Sequence, residues 1–134
     1  MNAEEYTLET KGRRTLDVTD LVLAFCAADG RSGLVNVFVP HATAGLALME
    51  TGSGSEVDLE QLLERLLPRE DRYVHRHGPV GHGGDHLVPV LVAPSLAIPV
   101  QDGEPILGTW QRVVVVDPNR SNDERRLRLT FVPA

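Results

Sequence analysis

The clearest pattern in the chain is an alternation of apolar and polar positions in RRLRLTFV (residues 125–132). Three apolar residues occupy one side and three polar residues the other: Leu127, Leu129 and Phe131 against Arg126, Arg128 and Thr130. Such alternation is typical of a strand with one solvent-exposed face. A shorter alternation in EYTLET (residues 5–10) predicts a first strand near the start of the chain.

Continuous apolar runs predict further strands in the middle of the chain. GLVNVFVPH (33–41) indicates a buried strand, and GLALME (45–50) is expected to pair with it. LVPVLVA (87–93) has the composition of a strand, but Pro89 also suits the first turn of a short helix capped by Asp85. Both alternatives stay open for this last segment.

A hairpin signal lies between two later apolar runs. SLAIPV (95–100) and GTWQRVVVV (108–116) are predicted to be strands joined through QDGEPIL (101–107). The Asp102-Gly103 pair marks the centre of the connection, because both residue types tolerate the positive φ angles of tight hairpin turns.

Two segments have helical character. DVTDLVLAFCAADG (17–30) predicts a helix with Thr19 as N-cap and Gly30 as stop. SEVDLEQLLERLLP (55–68) predicts a second helix, capped by Ser55 and ended by its final proline. Its apolar stripe at helical spacing consists of Leu59, Leu62, Leu63, Leu66 and Leu67.

These elements amount to about six strands and two or three helices. The predicted fold class is therefore α+β, with a mainly antiparallel sheet system. With 134 residues, of which 42% are hydrophobic, the chain is expected to form one domain over residues 1–134.

Charge and cysteine content limit the classes of partner. A net charge of −6 argues against a nucleic-acid partner but not against a small phosphorylated substrate. The single cysteine, Cys26, is expected to be a small buried hydrophobe, and a chain without disulfides suits the cytoplasm. The N-terminal residues lack an apolar signal core, and no apolar run is long enough to span a membrane.

Four of the five histidines fall in YVHRHGPVGHGGDH (73–86): His75, His77, His82 and His86. Neutral imidazole is a good ligand for zinc. However, the spacing matches neither a zinc finger nor an HExxH motif, and the glycines and prolines exclude a regular element. A metal site, an acid/base centre and a solvated loop all remain open on spacing alone.

Other polar residues have both a structural and a functional interpretation. Glu50 ends an apolar stretch, either in solvent or at a pocket, and Asp58 either complements the dipole of its helix or takes part in chemistry. Trp110 is expected to anchor the core, with Thr109 and Gln111 together on the opposite face of the strand.

The segment RSNDERRLR (120–128) is rich in charge and predicts a solvated turn and strand edge. The functional alternative is that Arg120, Arg126 or Arg128 binds a phosphate group, because guanidinium forms bidentate hydrogen bonds with oxyanions.

Several motifs follow one another in an order that resembles a known family. They are HATAGLALME (41–50), DLEQLLERLLP (58–68), YVH (73–75), a histidine eleven residues further on, and SLAIPVQDGEPILGTWQ (95–111). Together they resemble the YjbQ-like family, whose members are often described as secondary thiamine-phosphate synthases. The resemblance covers roughly residues 35 to 130.

The resemblance implies a fold, an assembly and a set of site residues. It implies a compact, β-sandwich-like domain of two mainly antiparallel sheets with two or three helices, which forms homotrimers. It also implies a divalent metal ion, with zinc favoured and magnesium possible for a pyrophosphate substrate. The implied metal ligands are His41, His75 and His86. The implied catalytic residues are Glu50 and Asp58, and the implied substrate-binding residues are Thr43, Thr109, Trp110, Gln111 and Arg126.

The chain departs from the family pattern in two places that bear on this site. An acidic segment after the glutamate is replaced by TGSGSEV (51–57), which is nearly uncharged. In GHGGDH (81–86), two residues differ from the pattern that the resemblance implies. His82 occupies the position of an asparagine in that pattern, and Asp85 occupies the position of an alanine. His82 is therefore either an additional ligand or a neutral replacement, and His77 is expected to be a solvated loop residue.

Three functions follow as hypotheses. The first is a transferase that joins a pyrimidine pyrophosphate to a thiazole phosphate, as a secondary activity, with a divalent ion on the leaving pyrophosphate. The second is a zinc-dependent hydrolase with Glu50 as general base. The third is a trimeric binding or regulatory protein whose histidines organise a junction between subunits.

Overall fold

Eight strands and four helices form within residues 2–70, 72–119, 121 and 123–134, which the computed structural model describes. The strands are Asn2–Glu9 (β1), Thr15–Asp17 (β2), Gly33–Phe38 (β3), Gly45–Met49 (β4), Ser95–Gln101 (β5), Glu104–Pro105 (β6), Arg112–Val116 (β7) and Glu124–Pro133 (β8). The helices are Thr19–Asp29 (α1), Ser55–Leu66 (α2), His82–Asp85 (α3) and Val88–Leu91 (α4).

The strands assemble into two antiparallel sheets, which confirms the predicted α+β class. One sheet has the order β1-β8-β3-β5-β6 and the other the order β2-β7-β4. The predicted pairing of β3 with β4 is wrong: β3 pairs with β5 and β8, whereas β4 pairs with β7. The intervening segment 39–44 carries the chain from one sheet to the other, so the two apolar runs cannot form a hairpin.

The predicted hairpin turn is confirmed, but its second strand is short. Asp102 and Gly103 have φ angles of 49° and 81°, and β5 pairs with β6 through two residues on each side. The strand predicted from residue 108 begins only at Arg112 and belongs to the other sheet. A turn precedes it, in which the backbone N–H of Gln111 donates to the carbonyl of Gly108.

The main core lies between the five-stranded sheet on one side and α1 with the small sheet on the other. It contains the alternating apolar residues of β8, as the sequence predicts, together with Cys26 of α1. β8 contributes Leu127, Leu129 and Phe131, which are completely buried. The opposite face of this strand carries Arg126 and Arg128, which are exposed.

A second, smaller core separates the small sheet from α2. β7 contributes Val114 and Val116 to it, while its alternate residues Val113 and Val115 enter the main core. The leucine stripe of α2 is only partly buried: Leu63 packs here, but Leu62 and Leu66 keep 44% and 56% of their surface exposed. The predicted apolar stripe is therefore present, but Leu62 and Leu66 form an outer part of it that faces away from the protein.

Both long helices start at the predicted positions with different caps. The carboxylate of Asp17, rather than the side chain of Thr19, accepts the first backbone N–H of α1, at 2.9 Å. At α2 no side chain caps the helix, and the carboxylate of Glu56 accepts the N–H of Gly52 instead. Gly30 ends α1 in the left-handed conformation, as predicted.

The ambiguous segment 87–93 contains a helical turn, α4, with Pro89 near its start. The strand alternative is therefore wrong for this segment. Within the described residues, no helix combines the length and the apolar character that crossing a bilayer requires.

Candidate functional site: a four-histidine cluster

The four histidines of residues 73–86 come together in space. Each of His75, His77, His82 and His86 offers a ring nitrogen, and these four nitrogens all lie within 4.8 Å of one another. We call this group the histidine cluster. No carboxylate belongs to it among the residues that the structure describes.

Two members of the cluster sit on one helical turn. His82 begins α3 and His86 follows its last residue, so their spacing of four places both rings on the same side of the turn. Their Nε2 atoms are 2.9 Å apart. Because one imidazole can donate to the ring nitrogen of another, the two side chains share a hydrogen bond, and the tautomers decide which one donates.

The other two members lie on the irregular segment that precedes α3. The rings of His75 and His77 are exposed and have their centroids 4.0 Å apart, and the centroid of His75 is 4.6 Å from that of His86. The pKa of His75 is lowered, first by desolvation and then by the positive charges that the other three imidazoles can carry. The lowered pKa favours the neutral imidazole, which is the form that binds metal ions.

Two glycines allow these segments to approach closely. A Cβ atom on Gly83 would lie 2.6 Å from the carbonyl oxygen of His75 and 2.7 Å from the Cβ of Tyr73. A Cβ on Gly84 would lie 2.8 Å from the Tyr73 hydroxyl, which itself donates to the carbonyl of Pro68 at 2.8 Å. The absence of side chains at both positions therefore brings the two halves of the cluster together.

A partly buried ion pair holds the same turn from another side. The carboxylate of Asp85 accepts two hydrogen bonds from the guanidinium of Arg69, at 2.5 and 3.2 Å. The side chain of Asp85 is 5% exposed and that of Arg69 is 33% exposed. The sequence suggests Asp85 as a helix cap, but no side-chain cap is present on α4 and the carboxylate binds Arg69 instead.

An open cleft adjoins the cluster. His75 and His77 line it together with Tyr73, Arg76 and Glu70, and the glycine-rich turn before α3 forms its remaining wall. The guanidinium Nε of Arg76 donates to the carbonyl of Tyr73 at 3.1 Å. The two exposed histidines thus face a cavity that also carries an arginine.

His41 lies outside the cluster. Its Nε2 accepts the backbone N–H of Arg126 at 2.7 Å. The pairing of β3 with β8 ends at Phe38 opposite Arg128, so His41 takes the place of a strand partner beyond that point. Burial is the main cause of its lowered pKa, followed by the charge of Arg125. The structure therefore brings together two of the three implied ligands, His75 and His86.

Thr43 belongs to a buried polar network beside His41. Its hydroxyl donates to Asp117 at 3.0 Å, and Asp117 also accepts from the buried side chain of Arg125. Arg126 points to the outer side of β8, where its guanidinium is 3.6 Å from the carboxylate of Glu5. Of the other arginines considered for phosphate binding, Arg128 is exposed and Arg120 lies outside the described residues.

The remaining candidates lie at the surface and outside the cluster. Glu50 follows the end of β4 and Asp58 occupies the first turn of α2; both are exposed. Trp110 is 71% exposed, so the prediction of a core anchor is wrong. Thr109 and Gln111 share its turn rather than a strand face, and the Gln111 side chain accepts the N–H of Gly108 at 2.8 Å.

Two members of the cluster lie closer to the other histidines than the sequence predicts. His77 is exposed, as expected for a loop residue, but its ring contacts that of His75. His82 is paired with His86, which favours the interpretation as an additional ligand. The spacing of four between His82 and His86 was the signal that could have predicted their pairing, had the turn been recognised as helical.

Comparison with known proteins extends over nearly the whole chain. The model of the family described as "UPF0047 protein YjbQ-like" matches residues 4–134. The chain is 56% identical over 132 residues to UPF0047 protein Rv2556c of Mycobacterium tuberculosis, covering 98% of each chain. It is 35% identical to a UPF0047 protein of Archaeoglobus fulgidus, covering 84% of this chain and 88% of the relative.

The fold is also similar to solved structures. The hypothetical protein APE1520 from Aeropyrum pernix K1 superimposes with a TM-score of 0.91 at 30% identity, with both chains fully covered. A YjbQ/UPF0047 family protein of Clostridium acetobutylicum gives a TM-score of 0.86 at 26% identity, covering 96% of this chain and 99% of that one. On these matches, the chain belongs to the UPF0047 (YjbQ-like) family.

Proposed function

We propose that the histidine cluster binds a divalent transition-metal ion, zinc in the first place, and that the protein uses it to act on a small phosphorylated molecule in the adjoining cleft. The observation that carries this proposal is the convergence of four imidazole nitrogens within 4.8 Å. Separate stretches of chain on both sides of a glycine-rich turn supply them.

The donor set fits zinc better than magnesium. Zinc is typically bound by four ligands at about 2.0–2.1 Å from nitrogen, which places neighbouring ligand nitrogens about 3.3 Å apart. The nitrogens of the cluster lie within 4.8 Å of one another, and the Nε2 atoms of His82 and His86 are already 2.9 Å apart. Magnesium prefers oxygen ligands, and no carboxylate of a described residue belongs to the cluster.

The cleft offers groups that suit an anionic substrate. When bound, the ion would supply Lewis-acid polarisation of a phosphoryl oxygen or a more acidic water. Arg76 lines the cleft, and guanidinium binds phosphate oxygens through several N–H groups. Tyr73 and the glycine-rich turn form one wall of the cleft.

The family resemblance supports a transferase reaction. We propose a secondary thiamine-phosphate synthase-like activity, in which the thiazole nitrogen of a thiazole phosphate displaces inorganic pyrophosphate from a pyrimidine pyrophosphate. The residues that the resemblance implies, Glu50 and Asp58 for catalysis and Thr43, Thr109, Trp110, Gln111 and Arg126 for the substrate, lie outside the cluster. A homotrimer, also proposed from the resemblance, would allow residues of neighbouring subunits to contribute to one site.

The number of imidazoles favours a second candidate. Structural zinc sites use four protein ligands, whereas catalytic sites keep one position open. If all four histidines bind the same ion, the site is closed, and the protein would be a metal-stabilised binding protein. An enzyme, by contrast, requires that one imidazole leave the ion or remain unbound to it.

Metal content per chain tests the proposal. We expect about one zinc ion per wild-type chain, and less than half of that in His86→Ala protein, because removing one imidazole weakens a four-ligand site. His41→Ala serves as the matched control, since its ring binds the backbone of Arg126 rather than the cluster. The wild-type protein is also dialysed against zinc, cobalt and nickel in turn. If it retains none of these three ions, the proposal of metal binding is wrong.

An activity assay then separates the two candidates. Purified protein is incubated with the pyrimidine pyrophosphate and the thiazole phosphate, and formation of thiamine phosphate is measured with and without zinc. Product formation that disappears in His86→Ala supports the transferase. Stoichiometric zinc without product formation, together with a loss of stability on chelation, supports the binding protein.

A further inference from the structure

The helical turn that carries half of the cluster cannot hold its position alone. α3 contains four residues, His82–Asp85, and no side chain caps its N-terminus. A single helical turn is unstable in isolation, because nucleation fixes several backbone angles for one hydrogen bond. The alignment of His82 with His86 must therefore depend on contacts between this turn and the rest of the protein.

The Arg69–Asp85 ion pair supplies such a contact. Asp85 is the residue directly before His86, and its carboxylate is held by both terminal nitrogens of Arg69, just beyond the end of α2. The side chain of Arg69 also packs against the turn itself: a Cβ on Gly81 would lie 2.9 Å from the Arg69 Cβ. The pair thus connects the start and the end of the turn to α2.

We infer that Arg69 and Asp85 are positioning residues for the metal site, which they serve by holding His82 and His86 at the spacing that an ion requires. This inference rests on the proposed function. Groups behind the direct ligands orient them and commonly change metal affinity about 10–100-fold when they are removed. Asp85 would act through His86 rather than as a ligand, because the histidine cluster contains no carboxylate among the described residues.

Another ion pair in the protein provides a matched control. Asp29, the last residue of α1, binds Arg31 through two hydrogen bonds at 2.7 and 2.9 Å. The side chain of Asp29 is 4% exposed and that of Arg31 is 54% exposed, so both pairs combine a buried aspartate with a partly exposed arginine. Asp29→Asn removes the same chemical group outside the cluster.

The test measures Zn²⁺ and Co²⁺ affinity of the full chain by competition with a chromogenic chelator. We expect Asp85→Asn to lower both affinities about 10–100-fold and to weaken the visible absorption of bound Co²⁺, which reports tetrahedral geometry. Asp29→Asn should change both affinities less than about twofold, which corresponds to about 0.4 kcal/mol when a tenfold change corresponds to 1.4 kcal/mol. Arg69→Lys should give an intermediate affinity, because lysine keeps the charge but loses the bidentate fork.

The outcomes separate this inference from the proposed function. If wild-type protein binds neither ion, the proposed metal site is wrong and the inference falls with it. If wild-type protein binds tightly and both Asp85→Asn and Arg69→Lys match its affinity and Co²⁺ spectrum, the metal site stands and the positioning role is wrong. Should Asp85→Asn fail to fold, Arg69→Lys and Arg69→Gln decide by the same measurements.

Discussion

The Nε2 atoms of His82 and His86 lie 2.9 Å apart, one helical turn from each other and each half-buried. This contact joins two residues that the sequence places at opposite ends of a short glycine-containing turn. It makes the turn an ordered pair of histidines rather than a loop that happens to be rich in histidine. The position of this turn depends on Gly83 and Gly84, where a Cβ atom would collide with Tyr73 or His75.

Gly83→Ala should separate the two halves of the cluster. The new Cβ would lie 2.6 Å from the His75 carbonyl oxygen, so the turn must shift. We expect a loss of about 1–3 kcal/mol in the free energy of unfolding, the usual cost of overpacking, and a lower zinc affinity. Urea denaturation and metal titration measure the two effects.

Gly108→Ala is the appropriate control for that substitution. The nearest atoms that its Cβ would meet belong to the flexible side chain of Gln111, at 3.3 Å or more. We expect a change below about 1 kcal/mol and an unchanged zinc affinity. Equal losses in both variants would contradict the importance of close packing at Gly83.

His41 should make stability depend on pH. Its folded-state pKa is lowered by burial and by the charge of Arg125, with Arg126 acting in the same direction and Asp117 opposing them. The unfolded chain therefore binds a proton more readily than the folded one. The contribution of the neutral imidazole is fully present above the unfolded pKa of 6.5 and is lost as the pH falls below it towards the folded pKa.

Urea unfolding of wild-type and His41→Gln protein between pH 5 and pH 8 measures this effect. Glutamine cannot titrate in this range, so the fall in stability below pH 6.5 should be shallower in the variant. Parallel curves for the two proteins would show that His41 does not contribute to the pH dependence. Both proteins should carry the same amount of metal, so that the cluster does not differ between them.

Asp117→Asn should be strongly destabilising. Asp117 is buried with Arg125, and the substitution leaves the guanidinium without a carboxylate partner. Breaking a buried pair on one side typically costs about 3–5 kcal/mol in the free energy of unfolding. The exposed pair of Glu9 with Lys11, at 3.2 Å, provides the contrast, and Glu9→Gln should cost no more than about 0.5 kcal/mol.

Trp110→Ala should leave the fold almost unchanged. Because the indole is 71% exposed, we expect a loss below about 1 kcal/mol, compared with about 3–5 kcal/mol for a buried tryptophan. Trp110 is also the single tryptophan of the chain, so its fluorescence reports on this turn alone. Efficient quenching by acrylamide in dilute protein would confirm the exposure, and protection at high concentration would place the turn in a subunit contact.

The sequence predicts correctly those elements that depend on neighbouring residues alone. β8 alternates strictly because one of its faces enters the main core, and the sequence shows this directly. The positive φ angles of Asp102 and Gly103 follow from residue type in the same way. The pairing of strands does not follow from residue type, because β3 and β4 are both apolar. Only the tertiary arrangement assigns these two strands to different sheets.

The candidate site was predictable in part for a related reason. Counting histidines and comparing motifs pointed to His75 and His86, which the fold brings together. The position of His41 depends on where the pairing of β3 with β8 ends, and sequence does not specify that point. The contact between Gly83 and Tyr73 is likewise a tertiary property, so the reason for the glycines became visible only in three dimensions.

Both faces of β7 are buried, and this burial affects how the chain behaves in solution. Its four consecutive valines, Val113–Val116, form an uncharged, β-branched run of the kind that promotes fibril formation when it is accessible. In the fold, β2 and β4 occupy both edges of this strand, and the two cores cover both of its faces. This segment is thus covered on both edges and both faces, and the native protein must open before it can be recruited into an aggregate.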